Sequence, residues 1–224
     1  VLVSLNDLIR KHDTHELSSA KPFVFVVPTY AARIPRIVSS FITAAKFSGN
    51  RNAYFVMTAF QSIGCAERYN KKICKAAGLN YAGTTAILMA ENYVAMYDIP
   101  SQQEAEQQAQ QAVPAIKAAA HDIAAGKVIA PPKNTTSDAM MSTVVNPLFY
   151  RLFVHADGFH ASDACIGCGA CVKNCPLGNI VLADKKPTWG KDCTHCMACI
   201  CRCPQKAIEY KNATQNRERF FIEG

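Results

Sequence analysis

The sequence contains no hydrophobic run long enough to cross a membrane. Half of its 224 residues are apolar, yet no window approaches the roughly 18 consecutive apolar residues that a transmembrane helix needs. A basic segment followed by an apolar stretch, which is the pattern of a secretory signal, does not occur either. We therefore expect no membrane partner, and the cytoplasm is the default compartment.

The sequence also lacks a concentrated basic surface, although its formal net charge is +7. Lysine and arginine are scattered, and no aromatic residues alternate with them to form a platform for bases. We therefore expect no nucleic-acid partner. The basic segment at 211–219 predicts a solvated tail, and docking of an acidic redox partner is the alternative.

No acid–base pair or activated nucleophile marks a substrate site, so the sequence predicts no catalytic residues. A Ser/Thr/Gly-rich phosphate-binding loop is likewise missing from residues 1–20.

In contrast, cysteine is abundant and unevenly placed. Nine of the 11 cysteines lie between Cys165 and Cys203, and only Cys65 and Cys74, interpreted as spare thiols, lie elsewhere. This crowding excludes a disulfide scaffold and favours metal ligation in a reducing compartment.

The clustered cysteines form a motif that occurs twice, with Cys193 of the second copy at the position of Cys165 in the first. The copies read Cys165-Ile-Gly-Cys168-Gly-Ala-Cys171-Val-Lys-Asn-Cys175-Pro176 and Cys193-Thr-His-Cys196-Met-Ala-Cys199-Ile-Cys201-Arg-Cys203-Pro204, and Ile180 and Ile208 share the same offset. The spacing C-x2-C-x2-C-x3-C-P is typical of bacterial ferredoxins with [4Fe–4S] clusters. We expect a tight ligand loop in each copy, with a short helix starting at the proline.

In such motifs the fourth cysteine ligates the cluster of the other copy. The predicted ligand sets are therefore Cys165, Cys168, Cys171 and Cys203 for one cluster, and Cys193, Cys196, Cys199 and Cys175 for the other. Zinc sites of comparable density use four ligands in all, so eight ligands in two copies argue against zinc. The segment 158–211 is too small to fold on its own apolar area, and cluster binding is expected to supply the difference.

Two residues in the second copy break the pattern. Cys201 could replace Cys203 as a ligand, but only Cys203 keeps the spacing and the following proline, so Cys201 is expected to be a small buried hydrophobe. His195 lies inside the ligand loop. Simple exposure is the favoured interpretation, and tuning of the cluster potential through a hydrogen bond is the alternative.

The first half of the chain has a different pattern. Apolar runs predict strands at Val1–Leu5, Phe23–Val27, Tyr54–Met57 and Ala86–Met89, and amphipathic patterns predict helices at Pro35–Phe47, Ala66–Ala77 and Ser101–Ala125. This alternation predicts a parallel α/β sheet. Ser101 with Glu104 forms a capping box for the last helix, and Gly126 is suited to end it.

These patterns divide the chain into an α/β domain at 1–130, a linker or packing segment at 131–157 and a ferredoxin domain at 158–224. Pro131 to Asp138 has linker composition. The apolar segment Val144–Val154 either packs one domain on the other or is a simple helix of the first domain.

Two loops follow predicted strands at the sheet edge where open α/β folds bind ligands. Small residues in them permit close backbone approach, and an aromatic residue in each could cover a flat ring. A flavin site and ordinary βα loops both remain open on these residues alone. The candidate cofactor contacts are Thr29, Tyr30, Ala31, Ala32, Arg33, Ile34, Thr58, Ala59, Phe60, Gln61 and Gly64.

Taken together, Phe23–Pro28 with Thr29-Tyr30 and Ile34-Pro35, Met57-Thr58 with Gly64, Met89–Tyr93 and the cysteine repeat resemble the fused flavodoxin–ferredoxin (EFR1-type) family. The resemblance implies a flavodoxin-like domain holding FMN between the two loops, followed by a 2[4Fe–4S] ferredoxin domain of α+β type. It also implies that the first strand, phosphate loop and first helix are missing, with Val1–Leu5 as an edge strand. FMN is then expected in a longer parent chain, with weak or no binding here.

The predicted function is electron transfer by an iron–sulfur protein, or flavoprotein, that passes electrons to or from FMN or a redox protein partner. Clusters carry single electrons and a flavin carries one or two, so the pair could couple the two kinds of chemistry. The alternative is a flavin-dependent oxidoreductase that acts on a small substrate.

Overall fold

The computed structural model describes residues 1–222, which form two compact units. The segments of the two units alternate along the chain. The sheet unit comprises His12–Met89 and Gln111–Arg151, and the cysteine unit comprises Val1–Lys11, Ala90–Gln110 and the chain from Leu152 onward. The predicted domains, with boundaries at 130 and 157, are each continuous in the chain. In the structure, each compact unit instead combines segments that are separate in the chain. Residues 1–11 and 90–110 therefore belong with the cysteine repeat rather than with the sheet.

Nine strands and eight α-helices are described, numbered in chain order. The strands are β1 Leu17–Ser19, β2 Phe23–Pro28, β3 Phe47–Gly49, β4 Asn52–Ala59, β5 Asn80–Leu88, β6 Phe159–Ala161, β7 Ile180–Ala183, β8 Lys186–Trp189 and β9 Ile208–Tyr210. The α-helices are α1 Leu5–Arg10, α2 Arg36–Ala44, α3 Ala66–Ala77, α4 Gln102–Ala124, α5 Thr136–Met140, α6 Asn146–Leu152, α7 Ala170–Asn174 and α8 Ala198–Cys201. A π-helix spans Met141–Val145, and a 3-10 turn spans Ala156–Gly158.

The sheet unit is built on parallel strands, as the apolar runs predict. Strands β2, β4 and β5 form one sheet in that order, and β1 pairs with β3 in a second. Helix α2 lies between β2 and β4 in the chain, and α3 lies between β4 and β5. Phe25, Phe55 and Met57 are buried within the three-stranded sheet. This order places the loops after β2 and β4 next to each other at one edge.

Gly83 marks an irregularity in the pairing of β4 with β5, between Ala53 and Tyr54. Its φ is +155°, and a Cβ there would lie 2.5 Å from Ile129 Cβ and 2.8 Å from the Ile129 carbonyl oxygen. Because the obstruction includes backbone, Gly83→Ala is expected to destabilise the sheet by about 3 kcal/mol. Hydrogen exchange of the β5 amides measures this loss.

Gly126→Ala is the matched control for that substitution. Gly126 also has a positive φ, +67°, but nothing lies within 4 Å of the position that a Cβ would take. Only the left-handed conformation is then penalised, by about 1 kcal/mol. Equal effects of the two substitutions on β5 exchange would show that contact with Ile129 is not what requires glycine at position 83.

The long helix begins as its sequence predicts. Glu104 Oε2 accepts from the Ser101 main-chain N–H at 2.9 Å, and Ser101 Oγ accepts from the Glu104 N–H at 3.4 Å, which completes the capping box. Helix α4 ends at Ala124, just before Gly126. No helix in residues 1–222 is both long and apolar enough to span a membrane.

The prediction of a strand at Val1–Leu5 is wrong. Helix α1 begins at Leu5, and Ser4 caps it by accepting a hydrogen bond from the Asp7 N–H at 3.3 Å. Val1, Leu2 and Val3 are exposed and belong to the cysteine unit. The prediction failed because Ser4, within the run, and Asp7, just after it, favour a helix start over an extended strand.

The predicted linker at 131–138 is only partly irregular. Thr135 and Asp138 form a second capping box, which opens α5. The π-helix and α6 follow directly, and residues to Arg151 belong to the sheet unit. Of the two alternatives for Val144–Val154, the structure therefore agrees with a helix of the first domain as far as Arg151.

The cysteine unit consists of two small antiparallel pairs and two short helices. Strand β6 pairs with β9, and β7 pairs with β8 through a turn at Asp184 and Lys185, both with positive φ. Helices α7 and α8 follow the ligand loops of the first and second copies. The buried core of this unit includes Phe159, Ile180, Met197, Ile200, Ile208 and Tyr210 together with Cys171, Cys175 and Cys199.

The sequence repeat is also a repeat of backbone conformation. Left-handed φ values occur at Gly167 and His195, at Gly169 and Met197, and at Gly178 and Lys206. Hydrogen bonds close a tight turn at Cys175–Gly178 and another at Cys203–Lys206. The expectation of a helix starting at each proline is therefore wrong: each proline occupies the second position of a tight turn, where its fixed φ suits the turn.

The C-terminal segment is not a free basic tail. Arg217 Nη1 donates to the carbonyl oxygens of Val94 at 2.8 Å and Tyr97 at 2.9 Å. Arg219 is buried and pairs with Glu209. Neither arginine is available as the solvated tail or the partner-docking charge that the sequence suggested, because both are used inside the cysteine unit.

Candidate metal centre

Four cysteines from both copies of the repeat line one cavity. Cys165, Cys168 and Cys171 come from the first ligand loop, and Cys203 comes from the end of the second copy. The cavity has an empty volume of about 320 Å³, including space open to solvent, and apolar side chains such as Ile166, Leu182 and Ile208 complete its lining. The structure therefore brings together the set predicted for the first cluster.

The other four cysteines interact with one another in the same crossed manner. Burial raises the pKa of the Cys193 thiol to about 11, and negative charge on Cys196 and Cys175 adds to this. Burial likewise raises the pKa of Cys199 well above its usual value, with further increases from Cys196, Cys193 and Cys175. Charge on Cys175 of the first copy therefore acts on all three loop cysteines of the second.

The chemistry of these side chains fits a cluster at each set. Soft thiolate sulfur is the ligand that iron–sulfur clusters use, and a cubane carries an iron for each of four thiolates. A structural zinc site uses four ligands in all, whereas the two copies of the repeat supply eight cysteines at the spacing typical of clusters.

Main-chain N–H groups point at several of the sulfurs. The Asn179 N–H donates to Cys175 Sγ at 3.3 Å, and its repeat equivalent, the Ala207 N–H, donates to Cys203 Sγ at 3.3 Å. The His195 N–H donates to Cys193 Sγ at 3.4 Å. Such donors stabilise negative charge on sulfur, which is the charge that ligation and reduction place there.

Cys201 lies beside the ligand sets rather than within the cavity. Burial raises the pKa of its thiol to about 11, opposed by the positive charge of Arg219. Cys201 and Cys203 are both partly buried and pack against the core of the cysteine unit, but only Cys203 lines the cavity. The choice of Cys203 as the ligand therefore stays a prediction.

His195 is buried, so the favoured expectation of an exposed side chain is wrong. Only 3% of the residue is exposed. Its Nδ1 is 2.9 Å from the Tyr93 hydroxyl, and its Nε2 is 2.7 Å from the His155 carbonyl oxygen. Burial lowers the pKa of the imidazole, although the hydrogen bond to His155 acts in the opposite direction. The ring is accommodated because partners distant in the sequence satisfy both nitrogens.

The two candidate flavin loops lie side by side in the sheet unit. The Thr29 N–H donates to the Thr58 carbonyl oxygen at 2.9 Å, which links the loop at 29–34 to the loop at 58–64. Ala31 and Ala32 have left-handed φ values of 47° and 64°. Ala32, Ile34 and Ala59 are buried, whereas Phe60 is exposed.

The segment from α5 to α6 bonds to the first loop and to Cys65, the residue after the second loop. Asn146 Nδ2 donates to the carbonyl oxygens of Tyr30 at 3.1 Å and Ala31 at 2.9 Å. Ser142 Oγ donates to the Ala32 carbonyl oxygen at 3.2 Å and accepts from the Cys65 N–H at 2.8 Å. In this arrangement three carbonyl oxygens of the loop at 29–34 are already bonded, whereas the buried Thr29 Oγ1 has no partner among the described residues.

Sequence reasoning missed Ser142, Asn146 and Tyr93 as contributors to these sites. Neither Ser142 nor Asn146 belongs to a recognisable motif, and each acts through residues far away in the chain. Tyr93 belongs to the segment that carries the family resemblance, but nothing in that segment indicates a histidine partner. The available signal was His195 itself, since a histidine replaces the glycine found at this position of the first copy.

Comparison with known proteins agrees with this geometry over the cysteine repeat. Residues 152–208 match a family model described as a 4Fe-4S dicluster domain. A 48-residue stretch is 46% identical to a protein from Methanosarcina acetivorans that is named as a component of an ion-translocating oxidoreductase complex. That alignment covers 21% of this chain and 18% of the relative. No solved structure matches the chain.

The C-terminal part of the chain is therefore a 4Fe–4S dicluster ferredoxin domain, and its chemistry is iron–sulfur electron transfer. The sheet unit contributes parallel strands with intervening helices.

Proposed function

We propose that this chain is an electron carrier whose two [4Fe–4S] clusters are held by eight cysteines in two crossed sets. The observation that supports this most strongly is the cavity that Cys165, Cys168 and Cys171 share with Cys203, the counterpart of Cys175 in the second copy. Each cluster, when bound, accepts and releases one electron at a time. The protein's residues supply thiolate ligands, N–H donors and apolar walls that limit the access of water.

Electrons are exchanged with a redox protein partner through the first ligand set. Its cavity is open to solvent, Cys168 is exposed, and Ile166 and Leu182 at the lining are 63% and 42% exposed. Electron transfer falls off with distance, so the exposed set is the one that a partner can approach. The similarity to a component of an oxidoreductase complex supports a protein rather than a small molecule as the partner. Free thiols in this number suit the cytoplasm.

Iron analysis and redox titration of oxygen-free protein test this function. We expect about eight irons and eight acid-labile sulfides per chain, and uptake of two electrons in one-electron steps. An electron paramagnetic resonance signal should appear on reduction. Four or fewer irons, bound zinc, or cystine bridges at these positions in an intact sample would refute the proposal.

The second candidate, a flavin-dependent oxidoreductase, depends on the family resemblance and on the placement of two adjacent loops at one sheet edge. Ser142 and Asn146 bond to carbonyl oxygens of the first loop, which limits the groups available to a flavin there. We likewise propose a division into a flavodoxin-like domain and a ferredoxin domain. The parallel strands of the sheet unit support this division.

Titration with FMN decides whether this chain binds a flavin. Since Asn146 and Ser142 already satisfy the loop carbonyl oxygens, the unmodified chain is expected to leave FMN fluorescence unquenched at micromolar protein. Asn146→Ala frees two of those carbonyl oxygens. Asn134→Ala is the control, because Asn134 lies just before α5 and bonds to Glu67 rather than to the loops. Stoichiometric quenching by the unmodified chain, with turnover of a small electron acceptor in the absence of any protein partner, would favour the enzyme instead.

A further inference from the structure

His195 occupies a backbone position that the first copy of the repeat gives to glycine. Its φ is 54°, and Gly167, the equivalent residue of the first copy, has a φ of 67°. A left-handed conformation costs a residue with a side chain roughly 1–2 kcal/mol. The second copy accepts this penalty at His195, as it also does at Met197 and Lys206, so the contacts of the imidazole have to show what the side chain adds.

The hydrogen bonds of His195 define a single tautomer. A carbonyl oxygen can only accept, so the His155 oxygen, 2.7 Å from Nε2, requires the proton on Nε2. In the neutral ring, Nδ1 is then an acceptor, and the Tyr93 hydroxyl at 2.9 Å donates to it. The imidazole is held at both nitrogens, with its two partners on segments remote from the ligand loop.

Aromatic rings hold the imidazole on its remaining sides. The Tyr210 and Phe159 rings lie 4.7 Å and 5.3 Å from it, at interplanar angles of 82° and 81°. Phe159 in turn stacks on Trp189 at 5.7 Å. With rotation prevented in this way, the orientation of the peptide that carries the ring is fixed as well.

That peptide is the one whose N–H donates to a ligand sulfur. The His195 N–H is 3.4 Å from Cys193 Sγ, so the contacts of the ring determine where this donor points. A donor to sulfur favours the more negative, reduced state of a cluster, and therefore raises its reduction potential. The first copy has only glycine at the equivalent position, so it has no side chain with which to fix the donor.

Building on the proposed function, we propose that Tyr93 and His195 are positioning residues that set the reduction potential of the second cluster apart from that of the first. They act by holding the His195 N–H against Cys193 Sγ. The Glu91–Tyr97 segment thereby contributes to the potential of a cluster that it does not ligate.

Redox titrations of His195→Gly and Tyr93→Phe test this role. Glycine keeps the left-handed backbone without the ring, and phenylalanine removes only the hydroxyl group that donates to Nδ1. We expect both variants to retain about eight irons, with a more negative midpoint potential for one cluster and an unchanged midpoint for the other. The shift should be larger for His195→Gly. Tyr97→Phe, an exposed tyrosine in the same segment, is the control and should match the unmodified chain.

The outcomes separate this inference from the proposed function. An unmodified chain with four or fewer irons refutes the function. Full iron content with no shift in Tyr93→Phe and His195→Gly, or with equal shifts of both clusters, refutes the positioning role alone. If His195→Gly fails to retain its iron, Tyr93→Phe decides: an unshifted midpoint in that variant overturns the inference, and a shift of a single cluster supports it.

Discussion

Replacing Cys203 with serine is expected to lower the iron content from about eight toward about four per chain and to reduce the uptake from two electrons to one. Cys203 lines the cavity of the first ligand set, so its loss removes the cluster of the first copy although the residue belongs to the second. Serine is a poor substitute because its harder oxygen replaces a soft thiolate. Iron analysis and coulometric titration measure both effects.

Double substitutions test the crossing itself. With crossed sets, Cys165→Ser combined with Cys203→Ser removes two ligands of one cluster, so about four irons should remain. Cys193→Ser combined with Cys203→Ser removes a ligand from each cluster and should leave almost none. Ligation without crossing predicts almost no iron in the first double variant and about four irons in the second. Cys201→Ser is the single-site control and should retain about eight irons, because Cys201 packs against the core of the cysteine unit and does not line the cavity.

The placement of the cysteines was predictable because ligation is governed by short spacings. Cysteines separated by two residues on a tight loop face the same side, and the second copy repeats the arrangement with the same left-handed backbone positions. The turn at each proline was harder to predict, because proline suits both a first helical turn and the second position of a tight turn. The hydrogen bonds from Gly178 to Cys175 and from Lys206 to Cys203 distinguish the two.

The partners of buried polar groups could not be predicted, because they depend on contacts distant in the sequence. Tyr93 lies 102 residues before His195, and Asn146 lies 116 residues after Tyr30, whose carbonyl oxygen it bonds. For the same reason, the parallel sheet was foreseeable from alternating apolar runs, whereas the interleaving of residues 1–11 and 90–110 with the cysteine unit was not. The apolar run at Val1 could pair as a strand or precede a helix, and Ser4 with Asp7 decided the outcome.

Removing iron is expected to unfold the ferredoxin domain while leaving the sheet unit intact. The segment 158–211, which carries all eight predicted ligands, is shorter than about 70 residues, a size at which an apolar core rarely supplies more than about 3–5 kcal/mol. Residues 90–110 add only Val94, Ile99 and Ala105 to its buried core. That core also contains Cys171 and Cys199, and burial raises the pKa of both thiols, which keeps them neutral. Without a cluster, these side chains contribute little more than small apolar groups, and the binding free energy that folds the domain is lost.

Hydrogen exchange on protein stripped of iron by a chelator under reducing conditions measures this difference within one chain. Amides of β6 and β9 should exchange as fast as those of an unfolded peptide, whereas amides of β4, at the centre of the three-stranded sheet, should keep their protection. The sheet unit thus serves as the internal control for damage during iron removal. Retention of β9 protection in the iron-free chain would mean that apolar packing around Ile200 and Ile208 folds the domain unaided, and that the clusters add function without adding structure.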